Sequence, residues 1–352
     1  MNASLPVSFL AEPPPHGGPD ARGPARWDFS TNSNACGPCP EALAAVQQAD
    51  ASRYPDPSYT ALRTVLAEFH QVRPERIVLA ASASEFIWRI TTLAARCGAT
   101  AVSLPTHSYG DYAQAARAWG LSIHHRPTHW TNSTDIHTTT ADLHWMCEPS
   151  SPQGLTDPML QTAQPLSGRW WVLDCAYRPL QLHCPPPPAP MDHLWQLWTP
   201  NKALGLTGVR AAYAIAPLHS AEDAARLIAL APSWPVGAHG VALLHAWAQP
   251  TTQHWLASSL ITLRHWKKSQ QTLCATLGWQ IEPGSRANYF VARPPTHTLH
   301  TALTHLRAQD VQLRDCTSFG LPGWLRLGVL PPQAQQALHQ AWLNMQPVPH
   351  PT

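Results

Sequence analysis

From residue 77 onward, short apolar runs alternate with helical patterns, and this alternation constrains the fold more than any other feature of the chain. The runs lie at 77–80, 100–104, 121–124, 143–147, 170–174, 194–198 and 209–215. Each is bounded by turn residues, and several lead into apolar residues at helical spacing. Strands that are apolar throughout, not at every second position, must be covered on both faces. Strands of that kind alternating with helices predict an α/β fold with a parallel-rich sheet. In such sheets a ligand binds beyond the carboxyl ends of the strands. The turns that follow these runs are therefore where functional residues should be sought.

The flanking stretches suggest the organisation. Pro232-Ser233-Trp234-Pro235-Val236-Gly237 reads as a boundary. A helix-rich stretch follows to about 277. Short strands are expected near 279–282, 288–292 and 324–329, with helices near 297–308 and 332–344, a smaller α+β domain. The first residues are rich in Pro, Gly and Ala and suggest an extended arm. The expected division is an N-terminal arm at 1–45, a large domain at 46–235 and a small C-terminal domain at 236–352. Ahead of the sheet, Asp56 is a candidate helix cap with Pro57 in the first turn. Leu62, Val65, Leu66 and Phe69 follow on one face.

Composition excludes several functions. Charged residues are only 12% of the chain and the formal net charge is +2, so no nucleic-acid surface is expected. No apolar run reaches the ~18 residues that span a bilayer, and the N-terminus lacks the regions of a signal peptide. The chain is expected to be cytoplasmic. Its eight cysteines are scattered and read as reduced core thiols. Cys36-Gly37-Pro38-Cys39 has the redox spacing, but Asn32-Ser33-Asn34-Ala35 before it is loop chemistry where a redox site needs a buried strand. His124, His125, His129, His137 and His144 match no metal-ligand spacing and read as dispersed, mostly surface histidines. No metal is expected.

Lysine is scarce, with three in 352 residues. Lys267 and Lys268 adjoin in a polar, helical run, whereas Lys202 stands alone between a Trp-rich apolar segment and a glycine-spaced turn. A desolvated lysine loses its proton and can attack a carbonyl. On local composition, a surface lysine after a strand stays equally open. The wider pattern Thr199-Pro200-Asn201-Lys202, Gly205, Gly208-Val209-Arg210 resembles the lysine segment of fold-type I pyridoxal-phosphate enzymes. Further segments match in that family's order. They are Ala83-Ser84-Glu85 at the start of a helix, Ser108-Tyr109-Gly110-Asp111-Tyr112, Glu148-Pro149-Ser150-Ser151-Pro152-Gln153-Gly154, Asp174-Cys175-Ala176-Tyr177, and Trp324-Leu325-Arg326-Leu327-Gly328.

The resemblance implies an aspartate-aminotransferase-like fold and pyridoxal 5'-phosphate as cofactor. It implies that Lys202 carries the cofactor aldehyde, Asp174 pairs with the pyridine nitrogen, and Tyr177 hydrogen-bonds the phenolic oxygen. Thr199 would also bind the cofactor, and Ala83, Ser84, Glu85 and Arg210 would hold the phosphate. A helix start suits that task because its free N–H groups and dipole favour an anion. Tyr112 would stack on the ring, with Tyr109 second. Ser151 stands where the family has an asparagine donor to the phenolic oxygen, and Asn201 where it has Ser or Thr. Tyr54 matches a tyrosine that reaches the neighbouring subunit's cofactor, which implies a homodimer. Arg326 matches the arginine that forks onto the substrate carboxylate.

Within the family the chain resembles most the threonine-phosphate decarboxylases of cobalamin biosynthesis. His16-Gly17-Gly18, Asp28-Phe29-Ser30-Thr31-Asn32 and Arg314-Asp315-Cys316-Thr317-Ser318-Phe319-Gly320 carry that likeness. The expected reaction is decarboxylation of L-threonine O-3-phosphate to aminopropanol phosphate, with His16, Asn32, Arg314 and Arg326 binding this small phosphorylated amino acid. Histidinol-phosphate aminotransferases share most of the cofactor residues and are the alternative. A catalytically inactive family member acting as a binding partner is the third reading.

Overall fold

The computed structural model describes residues 16–126, 141–162, 170–183, 191–296 and 298–345. The strands are β1 (Trp27–Asp28), β2 (Ile77–Ala80), β3 (Ala101–Pro105), β4 (Ser122–Arg126), β5 (Leu143–Cys147), β6 (Trp170–Asp174), β7 (Trp195–Trp198), β8 (Ala212–Ile215), β9 (Gln280–Ile281), β10 (Tyr289–Arg293), β11 (Val311–Gln312), β12 (Arg314–Asp315) and β13 (Leu325–Gly328). The helices are α1 (Pro40–Gln47), α2 (Thr60–His70), α3 (Ala83–Arg96), α4 (Gly110–Ala118), α5 (Met159–Thr162), α6 (Ala221–Ala229), α7 (Ala238–Trp247), α8 (Pro250–Thr276), α9 (Leu299–Ala308) and α10 (Pro332–Leu343).

A seven-stranded sheet runs β2-β8-β7-β6-β5-β3-β4. Only β8 is antiparallel to its neighbours; the pairings among β3, β4, β5, β6 and β7 are all parallel. All seven apolar runs became its strands, and their periodicity shows why. Ile77 and Leu79 enter one core cluster, while Val78 and Ala80 enter another on the opposite face. Tyr213 and Ile215 against Ala212 and Ala214 repeat that division. With both faces covered, every position of β2 and β8 is apolar and buried.

A second, antiparallel sheet has the order β12-β13-β10-β9. Helix α8 connects the two regions. Its buried residues Leu256, Ser259, Leu263, Lys267, Gln270 and Cys274 recur at three- and four-residue spacing, so they form one stripe. Leu256 and Leu263 join the core beside the large sheet, and Cys274 joins the core of the small one. The N-terminal segment is divided between the two regions. β1 pairs parallel with β11 and Phe29 is buried in the small core. Ala42 and Val46 of α1 instead share a core cluster with Leu243, Leu244 and Trp247 of α7. Among the described residues no helix is long and apolar enough to cross a membrane.

Local expectations need correction at three places. Helix α2 starts at Thr60, not near Pro57, because Tyr59 takes a left-handed conformation (φ 49°). Asp56 still caps it, with its carboxylate accepting from Thr60 N at 2.7 Å. Lys267 is buried, not on a polar face. Its ammonium donates to Ser285 O (2.6 Å), Ser285 Oγ (3.1 Å) and Ala287 O (2.8 Å). Burial pushes its pKa down to about 7, yet three acceptors match the three donors of the charged form. His144 is also buried, stacked on Trp171 at 3.9 Å. His124 is half-buried and His125 exposed on β4, while His129 and His137 lie outside the described residues. The thiols of Cys36 and Cys39 sit at the entry to α1. Burial pushes the first up to about 11 and raises the second.

Candidate active site

A cleft of about 690 Å³ opens at the carboxyl ends of the large sheet. The chain returns there after successive strands: Ser82 to Ser84 after β2, Tyr109 after β3, Ser151 after β5, Asp174 at the end of β6, and Thr199 to Lys202 after β7. Of the residues predicted from the sequence, the cleft is lined by His16, Asn32, Ala83, Ser84, Tyr112, Ser151, Asp174, Tyr177, Thr199, Lys202, Arg210, Arg314 and Arg326. Two lie elsewhere. Glu85 turns back into its own helix, where it pairs with Arg89 at 3.0 Å. Tyr54 is 78% exposed and stacks on the exposed Trp234 with ring centroids 4.3 Å apart.

At the floor of the cleft, Asp174 is buried. One carboxylate oxygen accepts from Tyr112 Oη at 2.6 Å, the other from Ala176 N at 2.9 Å. Burial raises its pKa; these hydrogen bonds and the Lys202 charge oppose the rise. A desolvated carboxylate of this kind is poised for a cation. Tyr112 lines the cleft beside Asp174. Its ring is fully buried and stacked on Trp145 (4.4 Å, 12° between planes), and its hydroxyl is committed to Asp174. The partly exposed aromatic of this segment is Tyr109, whose hydroxyl lies 3.2 Å from Ser84 Oγ. Lys202 Nζ stands 5.4 Å from the centre of the Tyr177 ring. Its turn depends on Gly205, at φ +69°, where a Cβ would lie 3.1 Å from the Pro38 Cα.

The N-terminus of α3 forms one end of the cleft. Ser82 caps it by accepting from Glu85 N at 3.1 Å, which leaves Ala83 and Ser84 facing the cleft. Thr199 Oγ1 and Asn201 Oδ1, both on the cleft wall, are buried without a hydrogen-bond partner among the described residues. A buried polar atom normally has a partner. The orphaned Thr199 hydroxyl, with a helix N-terminus and Arg210 on the same cleft, fits a bound phosphate; the Asn201 oxygen only accepts, and its amide nitrogen donates to Thr207 O and Val209 O at 3.3 Å.

Two further arginines of the cleft lie close together. Arg314 and Arg326 lie 5.0 and 5.6 Å from the centre of the same Phe319 ring. Burial lowers the pKa of Arg314, and the nearby Arg326 charge lowers it further. Arg314 Nη2 donates to Ser318 Oγ at 2.7 Å. Ser318 and Arg117 also line the cleft. The first lay within the quoted Arg-Asp-Cys segment; the second had no sequence signal. His16 is positioned by its own glycines. Gly18 N donates to Ser30 Oγ at 2.8 Å, and a Cβ on Gly17 would lie 2.3 Å from Ser30 O.

Comparison with known proteins gives consistent findings. The model of the aminotransferase class I and II family matches residues 27–341. Histidinol-phosphate aminotransferase 2 of Gluconobacter oxydans is 25% identical over 317 residues, covering 86% of each chain. The crystal structure of histidinol-phosphate aminotransferase from Sinorhizobium meliloti in complex with pyridoxal 5'-phosphate has a TM-score of 0.75 at 20% identity, covering 88% of each chain. L-threonine-O-3-phosphate decarboxylase from Porphyromonas gingivalis has a TM-score of 0.68 at 21% identity, covering 85% of this chain and 90% of that one.

Proposed function

The chain belongs to the aminotransferase class I and II family, and from that premise we propose that it decarboxylates L-threonine O-3-phosphate to aminopropanol phosphate in cobalamin biosynthesis. The fold is aspartate-aminotransferase-like, and the cofactor is pyridoxal 5'-phosphate. Bound in the cleft, it supplies an electron sink for breaking a bond at the substrate α-carbon. In the proposed site, Asp174 holds the proton on the pyridine nitrogen and Tyr177 donates to the phenolic oxygen. Lys202 Nζ carries the cofactor and moves the proton at the α-carbon. Thr199, Ser84, Arg210 and the α3 N-terminus bind the phosphate. Tyr109 takes the ring-stacking part first assigned to Tyr112, which instead orients Asp174.

The observation that carries the decarboxylase reading is the gathering of Arg314, Arg326, His16 and Asn32 on one cleft. Phosphothreonine carries a phosphate and a carboxylate. A desolvated phosphate needs several donors, and a guanidinium fork suits either anion. Arg326 would hold the carboxylate, and Arg314, His16 and Asn32 the phosphate. An aminotransferase is the second reading, favoured by the names of the curated relatives. The retained Lys202, Asp174 and Arg210 weigh against an inactive protein. Purified protein should release CO2 and aminopropanol phosphate from O-phosphothreonine, with little keto acid. Arg314→Ala should weaken O-phosphothreonine by about 2–5 kcal/mol, the usual effect of breaking a buried charge pair, and weaken threonine far less. Rapid glutamate formation from histidinol phosphate and 2-oxoglutarate, without CO2 from O-phosphothreonine, would make the protein the aminotransferase.

The small phosphorylated substrate and the division near residue 235 belong to the same proposal. So does a homodimer in which Tyr54, exposed here against Trp234, completes the partner's site. Dilution to the monomer should abolish turnover, and Tyr54→Ala should weaken cofactor retention while leaving α2 folded. An active monomer at high dilution contradicts the shared site.

A further inference from the structure

We propose that Ser151 is a positioning residue for Arg326, not a direct cofactor ligand; the inference rests on the reading of Arg326 as the carboxylate's partner. Ser151 is buried, and its Oγ accepts from Arg326 Nη1 at 3.1 Å. Two more acceptors surround the guanidinium. Ser30 O accepts from Nη2 at 2.9 Å. With the Asn32 amide turned so that its oxygen faces the arginine, that oxygen accepts from Nε at 3.1 Å and Nη1 at 3.3 Å. The three acceptors engage at least three of the five donors of a guanidinium. Its orientation is fixed before any ligand arrives, so less ordering cost remains for binding.

The acceptors are themselves held. Asp28 accepts from Ser30 N at 2.8 Å, Ser30 Oγ at 2.5 Å and Thr31 Oγ1 at 2.6 Å, which fixes the Ser30 carbonyl. On the other side, Ser150 O accepts from Tyr289 Oη at 2.8 Å and from Gly154 N at 2.6 Å. Glu148 ties down the same loop by accepting from Gln181 Nε2 at 2.9 Å and Asp157 N at 2.8 Å. Arg326 belongs to β13 of the small sheet, whereas Ser151 follows β5 of the large one. The contact therefore joins the two regions across the cleft. The family's asparagine has a longer side chain with its own amide donor. A serine here is shorter; accepting from the arginine leaves its O–H free to donate, so the shorter reach is what takes it out of contact with the cofactor.

The test separates the two roles. The cofactor dissociation constant is read from quenching of tryptophan fluorescence as apoprotein is titrated. For O-phosphothreonine the constant is the KM of initial-rate CO2 release by the holoenzyme, and for aminopropanol phosphate, which lacks the carboxylate, it is the inhibition constant against that reaction. Ser151→Ala should weaken O-phosphothreonine by about 10–100-fold, the value of a hydrogen bond to a charged group. Cofactor and aminopropanol phosphate should change by less than about twofold, and Ser151→Thr, which keeps the hydroxyl, should recover most of the loss. A rise in the cofactor constant, or equal weakening of both ligands, overturns the inference. Arg326→Lys separates it from the reading beneath. If that variant weakens O-phosphothreonine selectively and Ser151→Ala does not, only the role of Ser151 falls. If Arg326→Lys shows no selectivity, the carboxylate assignment itself fails.

Discussion

Lys202→Ala is expected to lose the visible absorbance of the bound cofactor and to reduce turnover by at least about 10³-fold, since both covalent attachment and proton transfer depend on one amine. The structure offers chemistry two other lysines, and their surroundings decide between them. Lys268 is exposed on α8. Lys267 is buried, but its amine is occupied by Ser285 and Ala287, and it does not line the cleft. Lys202 does line it, beside Tyr177, as do Asp174 and Arg210. Borohydride reduction followed by peptide mapping should therefore label Lys202. A label on Lys267 would remove the basis for the whole cleft assignment.

The strand runs were legible because burial on both faces leaves a local mark. Every residue of Ile77–Ala80 and Leu143–Cys147 is buried, and composition alone reports that. The order of the site segments was legible for a related reason: each follows the end of a strand. Choices made by distant contacts were not legible. Tyr109 and Tyr112 lie at the entry and in the first turn of α4. Which ring stays partly open and which is buried depends on Trp145, contributed by β5. The Ser151 hydroxyl meets Arg326 across 175 residues, a pairing that no local pattern encodes. Lys267 looked like part of a polar helix face because its acceptors lie on a loop eighteen to twenty residues further on. Glu85 was counted with its helix start, but Arg89, one turn along, took its carboxylate.

Asp174→Asn should keep the cofactor and lose most activity. The substitution is nearly isosteric. An asparagine oxygen can still accept from Ala176 N, now at 2.9 Å, and the Tyr112 hydroxyl, now a donor at 2.6 Å, can turn to accept from the amide. The pocket should therefore remain formed, with Tyr112 stacked on Trp145. The negative charge is lost. An opposite charge within about 4–6 Å shifts a pKa by 1–3 units, and each unit corresponds to about 1.4 kcal/mol. Without it, the pyridine nitrogen loses its proton more easily and the ring withdraws electrons less strongly. The expected loss in turnover is about 10–10³-fold. Tyr112→Phe removes only a hydrogen bond to a carboxylate that keeps its charge and should cost less, about 0.5–1.5 kcal/mol. The order of the two effects is the informative measurement. Asp174→Asn with turnover within a few-fold of the parent protein, or a Tyr112→Phe loss exceeding it, would mean that Asp174 is a buried structural carboxylate and not the partner of the ring nitrogen.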